Sequence, residues 1–387
     1  MKKRKVYLDH NATTPVAPEV LEAMVPCLGQ VYGNASSIHC FGQEARKTLE
    51  TARGQLAALM GANPADLIFT SGGTEADNMA VLGVARAAAG TERHVVTSAI
   101  EHPAVLAASM QLEKEGVAVT RIRVGSSGVV EPEDVRKALR TDTVLVSVMH
   151  VNNELGTVQP IAAIARITRE RGIPFHVDGV QALGKIPVDV QALGADLYSV
   201  SGHKIHAPKG IGALWVRKGT PLAPIAFGGH HERNRRPGTE NVPGAVAFGA
   251  AAELAARRLA PETARLAALR DRLESAILDR IPNSGINGSP WRRVANTSNV
   301  YFDGIDGEAL VISLDLAGFS VSTGAACSSG ALAPSHVLIA IGLTPERARA
   351  SMRFSLGASN TPEQVDALVD ALAASVERLR RISVNAR

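Results

Sequence analysis

From about Ala17 to Arg258 the chain alternates short apolar runs with helix-length stretches whose apolar positions recur every three or four residues. Short apolar runs bounded by polar turns read as buried strands, and the amphipathic stretches between them read as crossover helices, so the pattern predicts an α/β fold with a mostly parallel sheet covered by helices on both faces. Strands are expected at Leu67–Thr70, His94–Ser98, Val119–Val124, Val144–His150, Pro174–Val177, Leu197–Ser201 and Ile211–Val216. A helix rich in small residues follows over Val242–Arg258, and a separate amphipathic helix over Leu259–Arg280 marks a change of domain. From Asn296 onward the reading is strand (Asn299–Phe302), helix (Glu308–Leu316), strand and loop. A large domain of residues 16–258 and a smaller one of residues 1–15 and 259–387 are therefore expected. No internal repeat interrupts the series.

Composition narrows the partners. The 387 residues carry 41 basic and 37 acidic side chains, a net charge of +4 that is too small and dispersed to draw the chain to nucleic acid or a membrane surface. A small-molecule substrate is expected instead. No apolar run approaches the roughly 20 residues of a membrane helix. The opening Met-Lys-Lys-Arg-Lys passes straight into the strand-like Val6–Asp9 without a signal-peptide core, so a cytoplasmic location is expected. Cys27, Cys40 and Cys327 are an odd number without ligand-like spacing, which predicts neither a disulfide framework nor a metal site.

The chemistry gathers just after the strands, where ligands collect in open α/β sheets. Lys204 stands in a polar turn between the apolar runs ending at Ser201 and starting at Ile211. A lysine held on rigid structure loses its charge readily and suits Schiff-base chemistry, although an isolated lysine is more often a snorkelling surface residue. Ser201 and His203 flank it with phosphate-holding donors, and Asp178 ends the strand before it. Together they point to pyridoxal phosphate. Ser71-Gly72-Gly73-Thr74 is a phosphate cradle or an ordinary helix start. His102, before Pro103, is a site residue or a structural histidine, and Asn152-Asn153-Glu154 a set of site donors or a turn. Asp178 either caps the following segment or faces a protonated pyridine nitrogen, since a buried carboxylate needs a partner. The run from Gly228 to Asn241 has too much glycine and charge to be buried and reads as a surface loop. Cys327 lies in a loop of small residues, Ser322–Gly330, and Arg353 in an apolar strand where its planar fork suits a carboxylate or phosphate.

Ten motifs in order complete the picture: Tyr7-Leu-Asp-His-Asn-Ala-Thr-Thr-Pro15, Gly33-Asn-Ala-Ser-Ser-Ile-His39, Thr70-Ser-Gly-Gly-Thr-Glu75, Glu101-His102, His150-Val-Asn-Asn-Glu154, His176-Val-Asp178, Ser201-Gly-His-Lys204, Arg236-Pro-Gly-Thr-Glu-Asn241, Gly324-Ala-Ala-Cys327 and Arg353-Phe-Ser-Leu356. With them the chain resembles the cysteine desulfurases of the aminotransferase class V family, in their iron–sulfur assembly and nitrogen-fixation branch. The resemblance implies fold type I of the pyridoxal-phosphate enzymes, with Lys204 carrying the cofactor as a Schiff base. It places Asp178 at the pyridine nitrogen, His102 over the ring, Asn153 and Gln181 on its hydroxyl side, and Gly73, Thr74, Ser201 and His203 at the phosphate. Thr239 is implied to join the phosphate site from the neighbouring subunit of an isologous homodimer, and Asn34 and Arg353 to clamp the carboxylate of L-cysteine. Lys204 then removes the Cα proton. Cys327 takes the sulfur as a persulfide, alanine leaves, and the sulfur passes to an acceptor such as an iron–sulfur scaffold protein. Ala35 stands where the family often has proline, and Ala325-Ala326 where serine commonly precedes the alanine. The end at Arg387, without the longer tail of housekeeping members, favours the nitrogen-fixation-like branch. A selenocysteine lyase or an aminotransferase on the same fold is the alternative, and a sulfur-delivery homologue that no longer turns over is a more distant one.

Overall fold

The computed structural model describes residues 5–323 and 333–385. Its strands are β1 (Val6–Tyr7), β2 (Leu67–Thr70), β3 (His94–Ser98), β4 (Ala118–Ile122), β5 (Thr143–Ser147), β6 (Phe175–Asp178), β7 (Leu197–Ser201), β8 (Gly212–Val216), β9 (Ser284–Ile286), β10 (Thr297–Phe302), β11 (Phe319–Ser320), β12 (Ser322–Thr323) and β13 (Ser351–Ser355). The helices through the first half are α1 (Pro18–Met24), α2 (Cys40–Leu59), α3 (Gly73–Ala87), α4 (Pro103–Lys114), α5 (Pro132–Ala138), α6 (Ile161–Glu170) and α7 (Val190–Leu193). After them come α8 (Val242–Arg280), α9 (Gly307–Ala317), α10 (His336–Ala340), α11 (Pro345–Arg349) and α12 (Pro362–Asn385).

Seven strands form the main sheet in the order β2-β8-β7-β6-β5-β3-β4. Only β8 runs against its neighbours, β2 and β7. The expected α/β architecture is present, and three of the expected strands, at Leu67, His94 and Leu197, keep their expected bounds. Side chains alternate between the faces as a period of two demands. Leu67, Phe69 and Trp215 face a core shared with α2 and the first half of α8, while Ile68, Leu214 and Val216 face α3 and α4. A separate core gathers Val6 and Leu8 with Leu273, Phe302, Leu310, Phe354 and Leu368 around the smaller sheet β12-β13-β10-β9.

One expectation is corrected. The helices expected over Val242–Arg258 and Leu259–Arg280 are one, α8, which runs through Pro261. Proline forfeits a single backbone hydrogen bond. Ala245, Phe248 and Ala252 hold one half of α8 in the first core, and Leu269, Leu273 and Ile277 hold the other in the separate one. Anchoring on both sides outweighs the break. The N-terminal strand β1 pairs in parallel with β11, and the chain then crosses to the main sheet, where Thr14 Oγ1 donates to the His203 carbonyl at 2.9 Å.

Candidate active site

A cavity of about 350 Å³ opens beyond the carboxyl ends of the central strands. Each strand ends by delivering a polar group to it, which is why the site is scattered in sequence but compact in space.

At one end, β2 turns through Ser71-Gly72 into α3, whose start has no side-chain cap. The first N–H groups of this helix are therefore available to an anion. Gly73 is required by close approach, since a Cβ there would come within 2.7 Å of Val180 Cγ2. Ser201, at the end of β7, lies beside this turn, and its hydroxyl is buried without a hydrogen-bond partner among the described residues. An unanswered buried hydroxyl next to an uncapped helix start is the arrangement a phosphate would complete. Thr74 and His203 line the same cavity.

The floor is acidic. Asp178, the last residue of β6, is buried and accepts the Val180 N–H at 2.9 Å. Burial raises its pKa, with the Val180 N–H and Lys204 pulling the other way. Asp77 lies one turn into α3, and its buried Oδ1 has no hydrogen-bond partner among the described residues. Its pKa is raised well above the ordinary value by burial, then by the charge of Asp178. His176, two residues before Asp178 and so on the same face of β6, bridges the Ser147 and Ser199 hydroxyls at 2.8 and 2.9 Å. Burial lowers its pKa to about 3, so the imidazole is neutral. Glu101 accepts from the Ser98 hydroxyl at 2.5 Å and the Met149 N–H at 3.0 Å, and burial pushes it up to about 8.

The walls carry the nitrogen groups. Lys204 ends a single helical turn after β7, and its Nζ donates to the Asn11 and Ala12 carbonyls, both at 2.7 Å. His102 is the N-cap of α4, where its Nδ1 accepts the Ala104 N–H at 3.1 Å, which leaves the ring proton on Nε2. Burial first, then the charges of Lys204 and His336, lowers its pKa to about 4. His203 is lowered to about 4 by burial and by Lys204 and Lys209. Arg353 comes from β13, is 1% exposed, and donates from Nη1 to the Asn153 carbonyl at 3.1 Å and from Nη2 to Asp9 Oδ1 at 2.6 Å. Its Nε has no partner among the described residues.

Gly73, Thr74, His102, Asn153, Asp178, Gln181, Ser201, His203, Lys204 and Arg353 thus share one cavity. Gln181 lines it with its amide already engaged, donating to the Asn11 carbonyl at 2.9 Å and accepting from Lys185. Two expected residues do not reach the cavity of their own chain. Asn34 is exposed and its Oδ1 accepts the Ser36 N–H at 2.9 Å, closing a turn before α2. Thr239 is exposed on the loop of residues 228–241. Cys327 lies outside the described residues. Among the described residues no acidic, histidine and cysteine cluster could hold a metal ion.

Sequence reasoning passed over Asp77, the clasp that Asn11 and Ala12 form on Lys204, and Lys185. The last donates to Asn11 Oδ1 at 2.7 Å, and its pKa is well below the ordinary value because of burial, then Lys204 and Arg353. Asp77 had a signal, lying three residues after Thr74 on an otherwise apolar helix face.

Residues 6–368 match the family model for aminotransferase class-V. The chain is 48% identical over 381 residues to a cysteine desulfurase IscS of Dictyoglomus turgidum, a match covering 98% of this chain and 97% of that protein. Among solved structures it is similar to a NifS-like protein, with a TM-score of 0.91, 37% identity, and coverage of 97% of this chain and 100% of that one. It is also similar to SspA in complex with cysteine, with a TM-score of 0.80, 36% identity, and coverage of 90% and 98%. With the family model matched along nearly the whole chain, and seven of the ten sequence motifs contributing residues to the cavity, the chain belongs to the aminotransferase class-V family, among relatives named cysteine desulfurases.

Proposed function

We propose that this chain is a pyridoxal-phosphate-dependent cysteine desulfurase, converting L-cysteine to L-alanine and leaving the sulfur as a persulfide on Cys327. The observation that carries the reading is the sharing of one cavity by Lys204, Asp178 and an uncapped helix start beside the unanswered Ser201 hydroxyl. These residues fit the cofactor. Gly73, Thr74, Ser201 and His203 would hold its phosphate, Asp178 its pyridine nitrogen, Asn153 and Gln181 its hydroxyl side, His102 its ring face and Lys204 its aldehyde carbon. When bound, it supplies an electron sink for the pair left on the substrate's Cα.

The chain's own residues do the rest. The Lys204 amine takes the Cα proton and returns it, with Nζ held at the cavity wall by the Asn11 and Ala12 carbonyls. Asp178 keeps a positive charge next to it only while ionised, and such a charge would draw its raised pKa back down. Arg353 receives the substrate carboxylate, for which its buried Nε offers a donor. Asn34 and Thr239 would serve the partner subunit of an isologous homodimer, or the site once that partner is present. The Cys327 thiolate then attacks the substrate sulfur. The new S–S bond forms as the Cβ–S bond breaks, the bonding pair stays on carbon and is protonated there, and no outside oxidant or reductant is needed. Cys27 and Cys40 do not line the cavity, and burial raises the Cys27 thiol's pKa. The persulfide is passed to an acceptor protein, with an iron–sulfur scaffold as the class expected. No described helix is long and apolar enough to cross a membrane, and we place the reaction in the cytoplasm. The boundary between a large domain of residues 16–258 and a small domain of residues 1–15 and 259–387 would fall within α8.

Two variants test the reading. Lys204→Ala should lose alanine formation while keeping its circular-dichroism spectrum. Cys327→Ser should bind pyridoxal phosphate and L-cysteine but release almost no alanine, because a hydroxyl at neutral pH is a far weaker nucleophile than a thiolate. Alanine release by Cys327→Ser at the parent rate would transfer the assignment to a lyase that needs no thiol.

A further inference from the structure

The charged loop of residues 228–241 does not line the cavity. Its side chains instead grip the segment that builds the anion-holding end. Glu232, Arg233 and Asn234 all have left-handed backbone, with φ of 41°, 56° and 65°. Three consecutive side-chain-bearing residues in that region are strained and persist only where their surroundings hold them.

Glu232 supplies the hold. It is buried, and its Oε2 and Oε1 accept from Nη1 and Nη2 of Arg53, both at 2.8 Å. Oε2 also accepts the Phe69 N–H at 3.0 Å, and Arg53 Nη1 reaches the Leu67 carbonyl at 3.1 Å. Because β2 is an edge strand of the main sheet, this ion pair occupies backbone groups that a further strand would otherwise take. A little further along, Arg236 Nε donates to Glu75 Oε1 at 2.9 Å. Glu75 Oε2 accepts the Ser71 N–H at 2.6 Å. Burial raises the Glu75 pKa, but the hydrogen bonds from Arg236 and Ser71 outweigh it and leave the group below its ordinary value. An ionised carboxylate therefore stands in the first turn of α3, next to Thr74, where it competes with any second anion for the same helix terminus.

We infer that the loop of residues 228–241 braces the phosphate site of its own chain, with Glu232 fixing it to the edge of β2 and Arg236 neutralising Glu75. Arg236 and Glu232 are positioning residues. The inference rests on the reading that the start of α3 holds the cofactor phosphate, and it adds a role within the chain to the loop proposed to face the partner subunit.

The test compares pyridoxal phosphate with pyridoxal, which lacks the phosphate, in absorbance titrations of the full chain stripped of cofactor. The parent should bind pyridoxal phosphate far more tightly. Arg236→Gln should weaken pyridoxal phosphate on the order of tenfold, the scale of one charge-assisted contact, and leave pyridoxal unchanged. Glu75→Gln added to Arg236→Gln should restore most of the loss, since the amide keeps the Ser71 contact without the charge. A parent that does not distinguish the two ligands would defeat the phosphate reading itself. A parent that distinguishes them, with Arg236→Gln weakening both equally or neither, would overturn only the brace. So would an affinity loss that tracks the monomer fraction in sedimentation velocity, because the loop would then act through the partner.

Discussion

At the end of the cavity beside β2 and β7, the groups open to an anion are neutral: the first N–H groups of α3 and the Ser201 hydroxyl. At the end beneath β13 stands a full charge, the Arg353 guanidinium, paired with Asp9 at 2.6 Å. The difference lies in what each set of donors requires of its surroundings. Dipoles in a local turn need no counterion, whereas a buried cation must keep a partner. On the proposed reading, Asp9 is an internal stand-in that the carboxylate of L-cysteine would share or displace, whereas a phosphate at the start of α3 would have no counterion to displace. One end would then retain a ligand and the other exchange one.

If that contrast is right, the two ends separate under mutation. The largest effect is expected from Arg353→Gln, with kcat/KM for L-cysteine down about a hundredfold, roughly 3 kcal/mol, and retention of pyridoxal phosphate unaltered. Equal loss of both in steady-state assays and cofactor titration would show that the ends are not independent. Asp9→Asn comes next. It leaves the Arg353 charge, 2% exposed, facing only a carbonyl and an amide, and Asp9 itself is 20% exposed, which tempers the cost to about 2 kcal/mol. The melting temperature should fall by roughly 2–3 °C, and an unchanged calorimetric transition would remove Asp9 from its stand-in role. Ser201→Ala inverts the first result, weakening pyridoxal phosphate roughly fivefold, about 1 kcal/mol, with kcat unchanged at saturating cofactor. A fall in kcat would mean that the hydroxyl serves the chemistry and not retention.

The smallest effect belongs to a buried carboxyl behind the cavity wall, next to His102 in sequence. Glu101 has an ordinary value of 4.5 and is pushed up to about 8 in the folded chain. The folded state thus holds the extra proton between those values, and the stability this contributes is lost as pH rises through about 8. Glu101→Gln, which mimics the neutral acid, should show a shallower decline in melting temperature between about pH 5 and pH 8. An identical slope in parent and variant would assign the loss to another group.

The same contrast governs what the sequence discloses. The end proposed for the phosphate is legible because Thr70–Glu75 and Ser201–Lys204 lie at the ends of strands that the apolar pattern marks, and the chemistry is within a few residues of them. Lys204 and Asp178 are legible for the same reason. Arg353 can be placed in an apolar strand, but its partner cannot, because Asp9 lies 344 positions away and only packing of the two sheets brings them together. Glu101 and His176 stand in two of the motifs and Asp77 shows as a polar residue on an apolar helix face, but the burial that shifts their protonation comes from neighbouring elements, which no local pattern records. Pro261 reads as a helix break because its cost is local, while the two cores that override it are assembled from distant segments. Asn34 shows a different limit. A motif reports that a residue type is present, not which chain's cavity it serves.

The Asn11 and Ala12 carbonyls that receive Lys204 belong to a segment held from both sides, with Val6 against Phe319, and Asp9 against Ser355. During synthesis that segment leaves the ribosome before every residue it binds. The main sheet and its lysine are complete once Val216 has emerged, and Thr14 and Gln181 can already tie the segment to it, yet its outer side has nothing to pair with until β11 and β13 are made. A growing chain therefore has every strand of the seven-stranded sheet in hand before the partners that fix the outer side of this segment, and that side is among the last parts that can be completed.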